Sequence, residues 1–260
     1  MQFIRALVIP ASLLGLFASG PACAAGASAS AFSANFTTDG VNTAIDPVNT
    51  LSSGPDPRYD KTHKAGAYHN QLILTDAASP PALTVDTSGS TSRILGIFGI
   101  DTSSAEGDAT VTGLNLKLAP YVPPGSNAIP APYLQITANS VHETANYDAL
   151  FIVPNRMRVS SAGRFDGLTI TGSLVGGKTL KVTGAQKPDT VLFQSDTVTI
   201  TLNSKLVTAL ISCSLKCKLT PYSVRAAGVD VALNGAKLGK HKVSGDISVA
   251  AVAAGSGRGF

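Results

Sequence analysis

Thr197-Val198-Thr199-Ile200-Thr201-Leu202 alternates three apolar residues with three threonines. Successive side chains of a strand point to opposite sides, so the apolar set lies on one face and the hydroxyls on the other. The stretch reads as a half-buried strand, and the same period recurs at residues 134–138, 168–174, 207–211 and 243–251. Turn signals separate these runs: Gly176-Gly177-Lys178, and Asn234-Gly235, which favours positive φ in a hairpin. Helical periodicity is not sustained anywhere without Gly, Pro or β-branched interruption, and the strong helix former Glu occurs only as Glu106 and Glu143. The expected fold is all-β, an antiparallel β-sandwich with long irregular loops and few or no helices after a signal peptide.

Two phase changes refine this. Val224 and Ala226 lie in one register and Val229, Val231 and Leu233 in the other, with Gly228 between; Ala109 and Val111 are offset in the same way from Leu114, Leu116 and Leu118 around Gly113. An extra residue in one strand of a pair shifts phase, so a β-bulge is expected at each glycine.

The N-terminus carries a different signal. Arg5 precedes an apolar run over residues 6–18, and small residues follow from Gly20 to Ala29. This is the pattern of a secretory signal peptide. The run is broken by Pro10, Ser12 and Gly15 and is shorter than the roughly 20 residues a spanning helix needs. Ala22-Cys23-Ala24 supplies a small-x-small cleavage site, so residues 1–24 are expected to leave and the mature chain to begin at Ala25. No second long apolar run follows, so no transmembrane helix is expected in the mature chain.

Organisation within that chain is uneven. Residues 25–70 are rich in Ser, Thr, Asn, Asp and Gly with little visible alternation, and read as an irregular N-terminal leader; residues 71–254 read as the β-sandwich domain and 255–260 as a flexible tail. Five prolines between Pro120 and Pro132, bracketed by Tyr121 and Tyr133, mark a long extended loop inside the domain.

Charge excludes one class of partner. Charged residues are 14% of the chain and the formal charge is +4, with Lys and Arg scattered and no basic stretch interleaved with aromatics. Nucleic acid is not an expected partner. With Trp absent, the core must be built mainly from Val, Ile, Leu and Ala.

Cys213 and Cys217 are the two cysteines left after cleavage. Exported proteins usually pair their thiols. On a straight strand residues four apart lie roughly 13 Å from each other, beyond the roughly 7 Å a disulfide tolerates. Either the chain turns at Ser214-Leu215-Lys216 and a Cys213–Cys217 disulfide closes a hairpin, or the strand runs on with both thiols free; the hairpin is preferred. Redox catalysis would want C-x-x-C at a helix N-terminus, and the spacing here is C-x-x-x-C.

Other chemistry is thin. His142-Glu143 opens like a zinc-protease motif, but Asn146 stands where the second histidine belongs. His63 and His69 read as solvated loop residues. Asp46, Asp56 and Asp60 would suit a calcium ion, although their spacing matches no EF-hand and the turn-forming reading prevails. No cofactor is expected. No G-x-S-x-G is present, and sixteen acidic residues leave a paired-carboxylate glycosidase site unmarked in the spacing. Tyr121 and Tyr133 are the candidate ligand contacts, with packing of the loop as their alternative role.

The order of the β-patterned segments Ala109-Thr110-Val111-Thr112-Gly113-Leu114, Leu134-Gln135-Ile136-Thr137-Ala138-Asn139-Ser140-Val141, Gly167-Leu168-Thr169-Ile170-Thr171-Gly172, Val198-Thr199-Ile200-Thr201-Leu202-Asn203 and Gly245-Asp246-Ile247-Ser248-Val249-Ala250 resembles that of the choice-of-anchor P family of exported bacterial proteins. The resemblance covers more than half of the mature chain and implies a secreted or surface-displayed protein with no catalytic residues to transfer. An LPxTG-like motif, a hydrophobic tail and a terminal basic cluster are all missing, a departure from the family's pattern, so attachment through the C-terminus does not follow from the resemblance. The reading that results is a non-catalytic structural or adhesive protein, secreted or at the cell surface, with a cell-envelope or extracellular partner. Its alternatives are a secreted or periplasmic glycan-directed hydrolase, and a soluble carbohydrate- or ligand-binding module.

Overall fold

β-Branched residues in alternation with Ser and Thr leave the chain little choice but extended structure, and the computed structural model is built almost wholly from antiparallel strands. It describes residues 25–53, 58–98, 102–123, 125–150, 156–213 and 217–256. The strands are β1 (Ala25–Thr38), β2 (Val41–Val48), β3 (Leu51–Ser52), β4 (Arg58–Ala65), β5 (Tyr68–Ile73), β6 (Pro81–Thr87), β7 (Gly89–Phe98), β8 (Thr102–Pro120), β9 (Leu134–Leu150), β10 (Arg156–Thr171), β11 (Leu180–Gln186), β12 (Thr190–Gln194), β13 (Val198–Cys213), β14 (Cys217–Leu238) and β15 (His241–Ser256). A single 3-10 turn, Ser173–Val175, is the helical element among the described residues.

Two sheets pack face to face. Sheet A runs β12-β13-β14-β15-β1-β2, with β3 also on β1; sheet B runs β11-β10-β9-β8-β6-β5, with β7 also on β8 and β4 on β7. The pair β6 and β7 forms one line along β8, interrupted at Ser88, since Pro81 faces Pro120 and Phe98 faces Ser103 in unbroken register. Between the sheets lies a continuous core that includes Phe32, Phe36, Leu83, Ile94, Leu116, Ile136, Tyr147, Phe165, Ile200 and Val249.

The stretch 197–202 behaves as its pattern demands: Val198, Ile200 and Leu202 are buried in β13, and Thr199 and Thr201 face out. The leader reading of residues 25–70 is corrected. They form β1 to β5 and contribute to both sheets, β1 lying inside sheet A between β15 and β2. Alternation in β1 escapes notice because alanine fills the inward positions Ala27, Ala29 and Ala31 before the phase changes to Phe32, Ala34 and Phe36. Small residues are needed there: a Cβ added to Gly107 on β8 would stand 2.5 Å from the Ser28 carbonyl oxygen and 2.9 Å from that of Ala253, so the sheets meet almost backbone to backbone. Gly255 and Ser256 complete β15 instead of joining a tail, and residues 257–260 lie outside the described residues.

The two phase changes are real, but bulges do not make them. Buried positions switch phase at Gly228 while β14 keeps its register with β13 (Leu202 on Val229, Ser204 on Ala227) and with β15 (Val229 on Val249, Ala227 on Ala251). The neighbours compensate by changing phase on the same line, at Asn203, Ala250 and the Ala31–Phe32 step. Asn203 and Ala250 have positive φ (47° and 54°), whereas Gly228 and Ala31 do not, so the left-handed residues fall on alternate strands. Sheet B repeats the device through Ser88, Gly113 (φ 58°), Asn139 and Gly167 (φ 61°). One left-handed residue per second strand resets the pleat without adding a residue to any pair among these four strands, while the outer pairs β10–β11 and β1–β2 do shift register beside it. Each sheet is thus creased across four strands.

Asn234-Gly235 also departs from expectation. Pairing shifts between Leu233 and Ala236, which makes these two residues a bulge in β14, and the chain reverses later, at Gly239-Lys240. Positive φ at Gly235 (62°) is used to kink the strand and not to close a hairpin. Strand pairing in the segment 168–174 stops at Thr171, and the remainder enters the 3-10 turn.

Candidate functional site

The outer face of sheet A follows directly from its inner one. With Ile200, Val231, Ile247 and Ala34 buried in successive strands, the residues between them point to the outer side of the sheet, half-buried for the most part, with Ser248 itself buried. Register sets Thr201, Asp230, Ser248 and Ser33 in one row and Thr199, Ala232, Asp246 and Asn35 in the next. Short side chains on four adjacent strands make a flat surface of hydroxyls, an amide and two carboxyls.

The carboxyls are not passive. Asp230 accepts hydrogen bonds from Ser204 Oγ at 3.2 Å and Ser248 Oγ at 3.4 Å, yet burial in this crowded row raises its pKa. Asp246, diagonal to it across the β14–β15 pair, is pushed up to about 6 by burial and then by the charge of Asp230. Two carboxyls that resist joint ionisation, ringed by hydroxyls, suit contact with sugar hydroxyls, a cation or a basic partner group.

Sheet B presents a line of alternating charge instead. Asp60 on β4 accepts from Arg93 Nε at 3.2 Å; Arg93 faces Asp108 on β8; Asp108 Oδ2 lies 2.6 Å from His142 Nε2; and His142 faces Arg164 on β10. The Asp108 carboxylate raises the His142 pKa. Such half-exposed pairs contribute little stability in salt.

At one end of the sandwich, three turns converge on His241. Its Nδ1 lies 2.6 Å from Asp39 Oδ2 and its Nε2 3.4 Å from the Ala78 carbonyl. Both partners are acceptors, so a ring bonded to both donates from both nitrogens and is charged; Asp39 raises the His241 pKa, and its own is lowered by His241 and the Lys242 amide. The clamp ties the β1–β2 turn to the start of β15 and the loop before β6.

The candidates from sequence are dispersed. Cys213 faces Cys217 at the last described pair of β13 and β14, and residues 214–216 between them lie outside the described residues. Directly opposed strand residues have Cα atoms about 4.5–5.5 Å apart, inside the range a disulfide requires. The side chains of both cysteines lie outside the described residues. Tyr133 is held by its backbone, which donates to the Leu118 carbonyl and accepts from Leu174 N, and its ring packs against the core. Tyr121 N bonds the Pro80 carbonyl. Neither tyrosine lines the shallow groove of about 230 Å³ beneath the Pro-rich loop, whose walls include Gln71, Thr84, Lys117, Val122 and Ile129. Tyr133 packs against the core, and Tyr121 is anchored through its backbone.

His63 on β4 and His69 on β5 are not brought together; they lie on one collinear strand pair six residues apart, roughly 20 Å, and His69 Nδ1 pairs with Asp86. Asp46 sits in sheet A and Asp60 in sheet B, committed to Arg93, while Asp56 lies outside the described residues. His142 and Glu143, as strand neighbours, point to opposite faces, which leaves Glu143 inside the sandwich, fully buried. The carboxyl pair Asp230 and Asp246 went unnoticed in the sequence because nothing in a spacing of sixteen residues signals that two strands bring them together. No family model, curated protein or solved structure matches this chain.

Proposed function

We propose that the protein is an exported, non-catalytic structural or adhesive module, secreted or displayed at the cell surface, that meets a cell-envelope or extracellular component through the outer face of sheet A. The observation that carries this reading is the flat field of Thr199, Thr201, Asp230, Asp246, Ser248 and Asn35 across four consecutive strands. Flat faces match the geometry of extended polymers and sheet-like partners. Export is supported by the leader pattern of residues 1–24. The resemblance to choice-of-anchor P proteins points the same way, and a Cys213–Cys217 disulfide would fit an oxidising compartment.

The test is external protease on intact cells expressing the native gene, with periplasmic controls. Removal of the mature chain supports surface display; protection followed by release on osmotic shock overturns it in favour of a soluble periplasmic protein. A hydrolase reading draws on one observation, the unequal environments of Asp230 and Asp246, which resemble the acid and base of glycan hydrolysis. Turnover of a polysaccharide that is lost in Asp246→Asn would replace the adhesive reading with that one.

A further inference from the structure

Proline offers no N–H to a strand ladder, so the segment between β8 and β9, with five prolines over residues 120–132, leaves sheet B. It folds back over the outer face of that sheet. Two outward-pointing alanines record the cover: Ala82 on β6 and Ala119 on β8 oppose each other in register and are 3% and 7% exposed. Both stand outside the inter-sheet core that takes their neighbours Leu83 and Leu118. The segment is pinned at its ends, Tyr121 N donating to the Pro80 carbonyl and Tyr133 N to that of Leu118, and an inner turn joins Ser126 N to the Pro123 carbonyl. A wall held in this way needs little ordering when a ligand arrives.

The groove of about 230 Å³ beneath this wall has one cross-strand row as its floor. Gln71 on β5 faces Thr84 on β6, and Thr84 faces Lys117 on β8, so an amide, a hydroxyl and an ammonium stand side by side at the strand spacing of about 4.8 Å. None of these three side chains has a hydrogen-bond or ion-pair partner among the described residues. Just outside the groove the polar side chains satisfy one another: His69 pairs with Asp86, and Gln135 Nε2 donates to Asn115 Oδ1 at 3.1 Å. The acid of the neighbouring row is thus taken, and Lys117, half-buried, keeps no counter-charge.

We propose that this groove binds the uronic-acid units of an acidic polysaccharide, with the sugar carboxylate on Lys117, hydroxyls on Thr84 and Gln71, and a C–H face against Ile129 and Pro130. An ammonium partly withdrawn from water and left unpaired calls for an anion. The opposite wall calls for carbon: Ile129, 90% exposed, is the most exposed large apolar side chain among the described residues. A pyranose supplies both, with C–H groups on its faces and hydroxyls at its rim. Inorganic phosphate would leave that wall uncovered, and it finds neither an arginine fork nor free N–H groups on β6 and β8, which spend theirs on the ladder. A peptide carboxyl terminus would want the same N–H groups. The volume is below the roughly 300–1,000 Å³ of drug-sized sites, so the groove takes one ring at a time. A polymer gains by presenting many such units. The site lies on the sheet opposite the face proposed for adhesion and does not depend on it.

The test titrates the full mature chain at pH 7 and low salt with trigalacturonate, with its methyl ester and with acetate, following ¹H–¹⁵N amide shifts. Trigalacturonate should move the amides of Thr84, Lys117 and Ala119, and the ester, which lacks the charge, should bind about tenfold more weakly. Lys117→Gln should lose about tenfold as well, whereas Lys117→Arg, which keeps the charge, should stay within about threefold of wild type, so a folding defect in the glutamine variant does not decide the result. Ile129→Ser, at an exposed position, should cost about threefold. Asp246→Asn should leave the titration unchanged, which lets this site and the sheet A reading fail separately. Absence of shifts, equal binding of acid and ester, or wild-type binding by Lys117→Gln overturns the site. So do shifts confined to the row of Asp230 and Asp246, or acetate binding as tightly as the sugar, which would leave an adventitious ion only.

Discussion

Replacing Glu143 by glutamine keeps the shape of the side chain and removes its ability to ionise. In the wild type, burial pushes the carboxyl up to about 8 from an ordinary 4.5. Below pH 4.5 both folded and unfolded chains hold the proton, so ionisation costs the fold nothing. Between 4.5 and 8 the unfolded chain releases a proton that the folded chain keeps, and stability falls by about 1.4 kcal/mol per pH unit. At pH 7 the accumulated loss is about 3 kcal/mol, which Glu143→Gln does not suffer. For a domain of this size that corresponds to a Tm about 6–12 °C higher than wild type. The two proteins should melt together near pH 4.5 and diverge as pH rises, levelling off above pH 8. Differential scanning calorimetry from pH 4.5 to 9 measures the difference directly. A variant less stable than wild type by a constant amount across that range would refute the reasoning, since it would mean that the carboxyl is satisfied in the folded protein.

The His241 clamp should respond to pH in two directions. Its raised pKa gives stabilisation that is complete below about 6.5 and is lost as pH rises through the folded value, while the lowered pKa of Asp39 gives stabilisation that is lost as pH falls below about 3.8; amide protection at Asp39 and Lys242 should peak between those limits, and unchanged protection in His241→Asn would count against the clamp. Gly107→Ala should cost about 2–3 kcal/mol because its Cβ meets backbone oxygens that cannot move independently. Gly66→Ala, with nothing within 4 Å of the new carbon, should stay within about 0.5 kcal/mol of wild type in the same denaturant titration. Purified without reductant, the mature chain should resist alkylation at Cys213 and Cys217, and reduction should cost no more than about 2 kcal/mol, since the closed ring is short; rapid double alkylation in the native state would dismiss the disulfide.

Local pattern determined a good deal by itself. The alternation in residues 197–202 and 134–138 specified strands and their buried faces, and that in 243–251 did so up to Val249, because the side-chain period of a strand is a property of the backbone. It also located the phase changes at Gly113 and Gly228, since inward positions must be apolar wherever the strand lies. Their mechanism was beyond reach: a single strand with a phase slip looks the same whether one extra residue bulges or four neighbours crease together, and only the pairing distinguishes them. The strands within residues 25–70 were hidden for a related reason. Their inward alanines carry little hydrophobic signal, and the need for alanine arises from the close approach of Ser28 to Gly107 on the other sheet.

The sites divide in the same way. Sequence could place Cys213 and Cys217 on a hairpin, because the argument needs only the reach of four residues. It could not bring Asp230 beside Asp246, Asp39 to His241 or Asn203 to Glu143, because each pairing joins strands or turns whose adjacency is decided by topology. Burial of Glu143 is the clearest case. Chain position makes it one of two glutamates in a β-rich sequence, whereas the tertiary structure turns it inward, since His142 before it faces out and a strand allows its neighbour no other side.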